Sequence, residues 1–408
     1  MQSRDGRLLC DLTQSWSAVG GGVGTYLRHK RRHILAETPH RHLLIVPGAE
    51  DSVVEEGRTI TATIASPRVP GSPNYRLMLR NGAVRRVLER FRPDLIECQD
   101  AYNLPWAAIA HARANPGTAL VAAYCTDFPV VYVERPFRKF VGPALAGAAS
   151  RLCYRYCGGL YRRFDALYAM SENGGAAKLR ELGLEPEVVP LGVELGEFTP
   201  ERRDPAMRSA FGAGPGTPLL VYAGRIDREK RANVVVEAFR QLPEALGARL
   251  VLAGDGPLRS EIQALGDPRI HALGYVGDRD LLARLLASAD LYVSGMADET
   301  FGISIIEAQA SGLPVVGVAA GAMVDRVDRS TGRLGPVDDA AAMAANIVEV
   351  LGGDHQAMRA AAIDRARHYG WDRSMERLFG HLYPLAFRRA GRRVDGAVVS
   401  SNGVLAEA

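Results

Sequence analysis

Apolar residues along this chain fall into two alternating patterns. Short runs dense in Leu, Ile, Val and Ala, at Leu8–Leu12, His42–Val46, Leu95–Cys98, Leu120–Cys125 and Leu167–Met170, read as strands. A second series follows at Leu219–Ala223, Arg249–Ala253, Ile270–Leu273, Leu291–Ser294 and Pro314–Val318. Between them apolar positions recur at helical spacing, in Arg76–Phe91, Val234–Leu242, Leu281–Ala287 and Ala340–Leu351. Strand–helix alternation of this kind predicts parallel sheets with helices on both faces. The Gly- and Pro-containing stretch Pro190–Pro200 separates the two series, which predicts two α/β domains of Rossmann type facing each other across a cleft. In such sheets ligands bind beyond the carboxyl ends of the strands, so chemistry is expected in the loops that follow strands.

Composition narrows the function classes. The 408 residues are 47% hydrophobic and 24% charged, an ordinary globular balance that excludes a disordered or fibrous chain. A net charge of +4 is too small for a dedicated nucleic-acid binder of this size. Cys10, Cys98, Cys125, Cys153 and Cys157 include no Cys-x-x-Cys pair, as expected of buried thiols in a reducing compartment. No signal-peptide pattern opens the chain and no apolar run is long enough to span a bilayer, so a cytoplasmic protein is expected.

Three loops carry candidate chemistry. Gly20-Gly21-Gly22-Val23-Gly24 follows the first strand and opens a helix, where bare backbone amides suit a phosphate. It departs from the dinucleotide fingerprint, since Leu27 takes the third glycine position, and Lys30 followed by Arg31 is not a Walker lysine. A glycine-rich turn needed only for backbone geometry is the competing reading. The second loop, Ala223-Gly224-Arg225-Ile226-Asp227-Arg228-Glu229-Lys230, sets a guanidinium fork and an ammonium after a strand. Lys230 is one of only four lysines among 50 basic residues. A solvated charged loop is the plainer alternative. In the third, Glu299-Thr300-Phe301-Gly302-Ile303-Ser304-Ile305-Ile306-Glu307, two glutamates stand eight apart around a helix start. Ser304 and Glu307 have capping-box spacing, which would account for Glu307 without any ligand but not for Glu299.

Together with YCTDFP, MSENGGAAKLRELG and VVPLGVELGEFTP, these loops resemble the ordered motifs of family 4 retaining glycosyltransferases of the GT-B fold, over roughly residues 7–385. Within that family the chain is most similar to lipid-glycosylating members such as phosphatidylinositol mannosyltransferases and sulfoquinovosyl transferases; PGSPNYRLMLR and TDFP carry this finer likeness. The resemblance implies an acceptor-binding domain over 1–195 and a nucleotide-sugar-binding domain over 196–371. It also implies a C-terminal helix over 372–390 returning toward the first domain, ahead of a flexible tail at 391–408. Arg225 and Lys230 would hold the donor diphosphate, Glu299 the donor sugar and Glu307 the nucleotide ribose. Backbone amides at Gly21, Gly22 and Gly224 and across Phe301, Gly302, Ile303 and Ser304 would complete the anion site. The donor is expected to be UDP- or GDP-linked, with no resident cofactor and no bound metal. A nucleotide-sugar epimerase or hydrolase of the same fold, or a polysaccharide glycosyltransferase, are the alternatives.

Some positions depart from the family pattern. Cys125 stands where Tyr-His-Thr places a histidine near the donor sugar, Glu194 where Asp is common, and Ala322 where a second Gly is common. A thiol cannot act as a charged proton shuttle, so Cys125 points to a different donor sugar or an impaired site. Charge is also uneven. Residues 1–200 hold 25 basic and 20 acidic side chains, a net of +5 against −1 for the remainder. Residues 135–163 contain seven Arg or Lys, five aromatics and no acid, and residues 28–33 read RHKRRH. Both stretches are expected to meet an anionic membrane surface, with the protein peripheral on its cytosolic face and a lipid or lipid-linked acceptor as partner.

Overall fold

The computed structural model describes residues 6–17, 21–69 and 72–392. They form two units, and the chain passes between them more than once. The first comprises residues up to Met170, Gly175–Val189 and the described residues from Ser374 onward. The second comprises Ser171–Gly174 and Pro190–Arg373. The division expected at 195/196 therefore lies at 189/190, and the tetrapeptide after the fifth expected strand belongs to the second unit. The expected tail lies outside the described residues from 393 onward.

The first unit is built on β1 (Leu8–Leu12), β2 (Arg41–Gly48), β3 (Ser52–Glu56) and β4 (Thr59–Ala65). A short antiparallel pair, β5 (Arg68–Val69) and β6 (Ser72–Arg76), forms its own small sheet. The main sheet continues through β7 (Leu95–Cys98), β8 (Ala119–Tyr124), β9 (Ala166–Ala169) and β10 (Glu187–Val188). Its order is β10-β9-β8-β7-β1-β2-β4-β3, parallel except where β3 pairs antiparallel with β4. β3 escaped the sequence pattern because it is an edge strand exposed along its whole length. The helix expected over Arg76–Phe91 begins at Asn81, since Arg76 still pairs in β6.

The second unit holds β11 (Leu219–Ala223), β12 (Arg249–Ala253), β13 (Ile270–Gly274), β14 (Leu291–Val293), β15 (Val315–Val318) and β16 (Gly332–Gly335). These six run parallel in the order β13-β12-β11-β14-β15-β16. Strand order reverses between β11 and β14, and in the first sheet between β1 and β7. Loops leaving those four strands flank the two topological switch points, where doubly wound sheets bind ligands.

The first unit's core contains a buried ionic cluster. Lys30, on the helix Gly22–Glu37, is 1% exposed and places Nζ 2.7 Å from Asp11 Oδ1 and 2.9 Å from Glu97 Oε2. His42 Nε2 donates to Asp11 Oδ2 at 2.7 Å, because Arg31 Nε donates to its Nδ1 at 2.9 Å and leaves that nitrogen an acceptor. Tyr26 and Tyr168 donate to Glu97 Oε1, and Tyr383 to its Oε2 at 2.6 Å. Tyr383 thus ties the C-terminal helical stretch into this unit, as does Arg389 through the carbonyl of Asp165. The RHKRRH stretch is therefore not a uniform basic surface: Lys30 is spent inside the core and Arg31 is half-buried on β2 and β4.

Candidate active site

In the second unit the loops after β11 and β14 meet at the switch point. β11 delivers Gly224, Arg225 and Lys230, while β14 delivers Glu299 and the turn into the helix Ile303–Ala310. Lys230 Nζ stands 3.2 Å from Glu299 Oε2. Burial pushes the Glu299 carboxyl up. The Lys230 charge, its hydrogen bond and the amides of Gly302 and Phe301 outweigh that, and hold it below the ordinary range. An ionised carboxylate, an ammonium and a row of backbone amides thus share one small volume.

Arg225 is placed differently from Lys230. It is 61% exposed and folds onto its own loop, 2.9 Å from Asp227 Oδ2 and 2.7 Å from Glu229 Oε2. Tyr222 donates to the Arg225 carbonyl at 2.6 Å and fixes the turn. Tyr292, on β14, joins the two loops: its hydroxyl lies 3.1 Å from the Ala223 carbonyl and 2.8 Å from Ser304 Oγ. The hydroxyl donates to the carbonyl and accepts from the serine.

The capping-box reading of Ser304 and Glu307 fails. The helix is capped by Gly302 in the left-handed region at φ 82, a conformation a Cβ would strain, and Ser304 sits inside the first turn. Glu307 is buried and pairs with Arg279 Nη1 at 2.8 Å. Burial pushes its carboxyl above the ordinary value despite the opposing charge of Arg279. Arg279 also reaches Glu197 at 3.1 Å and lies 4.7 Å from the centroid of the Phe198 ring. Arg279 and Tyr292 went unmarked in the sequence. Arg279 lies in Asp278-Arg279-Asp280, an Asp-x-Asp triplet that sequence reasoning overlooked. Here it serves as a helix start: Asp278 caps the amides of Asp280 and Leu281, and Asp280 pairs with Arg202. Among the described residues no group of three His, Cys, Asp or Glu side chains converges as metal ligands would.

In the first unit the switch point is also tied together. Asp100, after β7, accepts from Thr13 Oγ1 at 2.8 Å, from the Gln14 amide at 2.7 Å and from Ser15 Oγ. These bonds fix the start of the loop that leads toward Gly21. Gly21 precedes the helix at φ 112, and Gly22 is its first residue, so the helix begins inside the glycine run. Cys125 follows β8; burial pushes its thiol well above its ordinary value, so it stays protonated. Two residues on, Asp127 accepts from Tyr124 at 2.9 Å, Tyr154 at 2.7 Å and Lys178. The predicted residues thus group as Lys230, Glu299, Arg225, Gly224 and the 301–304 amides in the second unit, and Gly21, Gly22 and Cys125 in the first.

Comparison with known proteins matches the chain to a family. Residues 20–197 fit the family model "Glycosyltransferase Family 4" and residues 217–352 that of "Glycosyl transferases group 1". A Mycobacterium tuberculosis protein, GDP-mannose-dependent alpha-(1-6)-phosphatidylinositol dimannoside mannosyltransferase, is 30% identical across 88% of this chain and 92% of its own length. The chain belongs to glycosyltransferase family 4. The family 4 chain is also 30% identical to sulfoquinovosyl transferase SQD2 of Arabidopsis thaliana, over 58% of this chain and 45% of that protein. Sucrose-phosphate synthase from Thermosynechococcus elongatus superposes with a TM-score of 0.72 at 19% identity, covering 94% of this chain and 99% of that one. Anabaena HepE in complex with UDP and glucose gives 0.66 at 18% identity, over 92% and 100%. These likenesses establish the GT-B fold, and the family makes this glycosyltransferase a hexosyltransferase-type enzyme.

Proposed function

We propose that this glycosyltransferase moves a hexosyl group from a UDP- or GDP-linked sugar, with retention of anomeric configuration, onto a lipid or lipid-linked acceptor. The observation that carries the proposal is the Lys230–Glu299 pair set beside the helix-start amides at the switch point. Lys230 holds the donor diphosphate, joined by Arg225 once its guanidinium exchanges Asp227 and Glu229 for phosphate oxygens. Glu299 grips the sugar hydroxyls, and Glu307, its carboxylate steadied by Arg279, takes the ribose hydroxyls. The amides of Phe301, Gly302, Ile303 and Ser304, with Gly224, receive the remaining phosphate oxygens.

In the transfer step the bond from the anomeric carbon to the diphosphate oxygen breaks. The acceptor oxygen bonds to that carbon from the same face, and its proton passes to a donor phosphate oxygen. The protein's share is electrostatic: cations and fixed amides neutralise the departing diphosphate without a metal ion in the step. A protonated Cys125 thiol fits this route, which asks for no histidine base.

The helix Arg135–Tyr161 supports a membrane-borne acceptor. Gly142, at φ 79 and followed by Pro143, kinks it, and Phe140 (86% exposed), Leu145 (64%) and Leu152 (68%) project from it among arginines. Apolar anchors within a basic stretch suit the cytosolic face of an anionic membrane better than a polysaccharide chain. No described helix is long and apolar enough to cross a bilayer. The names of the mycobacterial and plant relatives support lipid-directed transfer. The test is the anomeric configuration of the product by NMR: the donor's own configuration is expected, and inversion would rule the mechanism out.

A further inference from the structure

Three consecutive carbonyls in the turn after β14 are gripped from three directions. Glu299 O accepts from the Ala322 amide at 2.8 Å, Thr300 O from Ser171 Oγ at 2.7 Å, and Phe301 O from Arg326 Nε at 3.1 Å. A planar trans peptide couples each carbonyl to the following N–H, which points the opposite way. Holding those oxygens therefore aims the amides of Thr300, Phe301 and Gly302. Two of these, Phe301 and Gly302, favour the ionised Glu299 carboxylate.

Arg326 is the most unexpected of the three anchors. It is 2% exposed, with its guanidinium 4.7 Å from the Phe301 ring centroid and 4.5 Å from that of Tyr369. Its Nη1 donates to the Tyr369 hydroxyl at 3.0 Å, and its own carbonyl accepts from Gln309 Nε2 at 2.8 Å. An apolar side chain could fill the space between two rings without the desolvation cost of a buried cation. What an apolar residue could not supply is the donor to the Phe301 carbonyl. Ser171 works beside it from the Ser171–Gly174 segment. That segment approaches so closely that a Cβ at Gly174 would lie 2.8 Å from the carbonyl oxygens of both Glu299 and Thr300.

We propose that Arg326 is a positioning residue that locks the Glu299–Gly302 turn. It would thereby present the Glu299 carboxylate and the helix-start amides to the donor diphosphate in one fixed geometry. The inference rests on the reading of this turn as the donor site.

The test compares GDP and UDP with guanosine and uridine as ligands of the whole protein, by calorimetry and by competition. Arg326→Met keeps the volume between the rings and removes the donors. It should weaken the bound diphosphate about tenfold or more while nucleoside affinity moves less than about twofold, the scale of a lost charged hydrogen bond. Arg326→Lys, which restores one donor, should fall between. Equal weakening of diphosphate and nucleoside, or loss only of the binding-competent fraction, would make Arg326 a structural residue and overturn the proposal. Unchanged diphosphate binding would overturn it as well while leaving the donor-site reading intact. Failure of the unmodified protein to bind either diphosphate would remove both. If Arg326→Met does not fold, Ser171→Ala, which deletes one hydroxyl, should shift the same ratio in the same direction, and no shift would refute the locking of the turn.

Discussion

Lys230 Nζ and Glu299 Oε2, 3.2 Å apart, bind the loop after β11 to the loop after β14 across the reversal of strand order. The pair holds a cation and a carboxylate ready without help from substrate. Both side chains are partly exposed, which leaves each able to exchange its partner for a ligand group.

Replacing either residue should therefore damage turnover far more than folding. Glu299→Ala and Lys230→Ala are each expected to lower kcat by about 10²–10³, the usual cost of one preorganised electrostatic group. Their melting temperatures should stay near that of the unmodified enzyme, since partly exposed pairs contribute little to stability. Steady-state kinetics beside calorimetry checks both statements.

Arg279 restrains the Glu307 carboxyl, whose burial already pushes it up. Arg279→Ala removes the opposing charge, so protonation of Glu307 should begin at higher pH. The KM for donor should then rise on acidification earlier in the variant than in the parent. Coincident KM–pH profiles would separate Glu307 from donor binding.

The buried cluster around Lys30 sets the acid stability of the first unit. His42 is buried neutral, with burial the main cause of a value below the ordinary 6.5. Its contribution is complete above that pH and is lost as pH falls toward the folded value. Burial alone would raise Asp11, but Lys30 and His42 pull it well below 3.8, so its contribution disappears at still lower pH. Melting temperature should therefore decline as pH drops below about 6.5 and again in the carboxylate range. Lys30→Met, which strands two buried carboxylates, should cost about 3–5 kcal/mol in denaturant unfolding.

Cys125 carries a protonated thiol and no charge to shuttle. Cys125→Ala should keep kcat within about tenfold and leave the shape of its pH profile unchanged, unlike loss of a general base, which typically costs ~10²–10⁴.

Phe140, Leu145 and Leu152 project from the kinked helix. Changing Phe140 and Leu145 together to Glu should abolish sedimentation with vesicles rich in anionic lipid, while hydrolysis of the soluble donor is unaffected.

Much of this arrangement was legible in the chain itself. The strand series, the helix-start glycines and the Glu299–Glu307 spacing follow from short-range patterns that a sequence displays directly. What stayed hidden depended on long-range contact. Nothing near Arg326 marks it as the partner of the Phe301 carbonyl, because the link spans 25 residues and ends on a backbone atom. RHKRRH looks like a basic surface until the fold places Asp11 and Glu97 against Lys30. Ser304 and Glu307 have the spacing of a cap, yet Tyr292 and Arg279 claim their side chains instead. β3 was invisible because an exposed edge strand has no buried face to write into its sequence.

The most direct test of glycosyl transfer to lipid is a donor screen read by mass spectrometry. The purified enzyme is incubated with GDP-mannose, UDP-glucose or UDP-sulfoquinovose and a membrane lipid extract. A lipid species heavier by one sugar residue is expected with one of these donors, formed by the unmodified enzyme and formed about 10²–10³-fold more slowly by Glu299→Ala. Sugar release without any glycosylated lipid, or equal product from Glu299→Ala, would contradict this expectation.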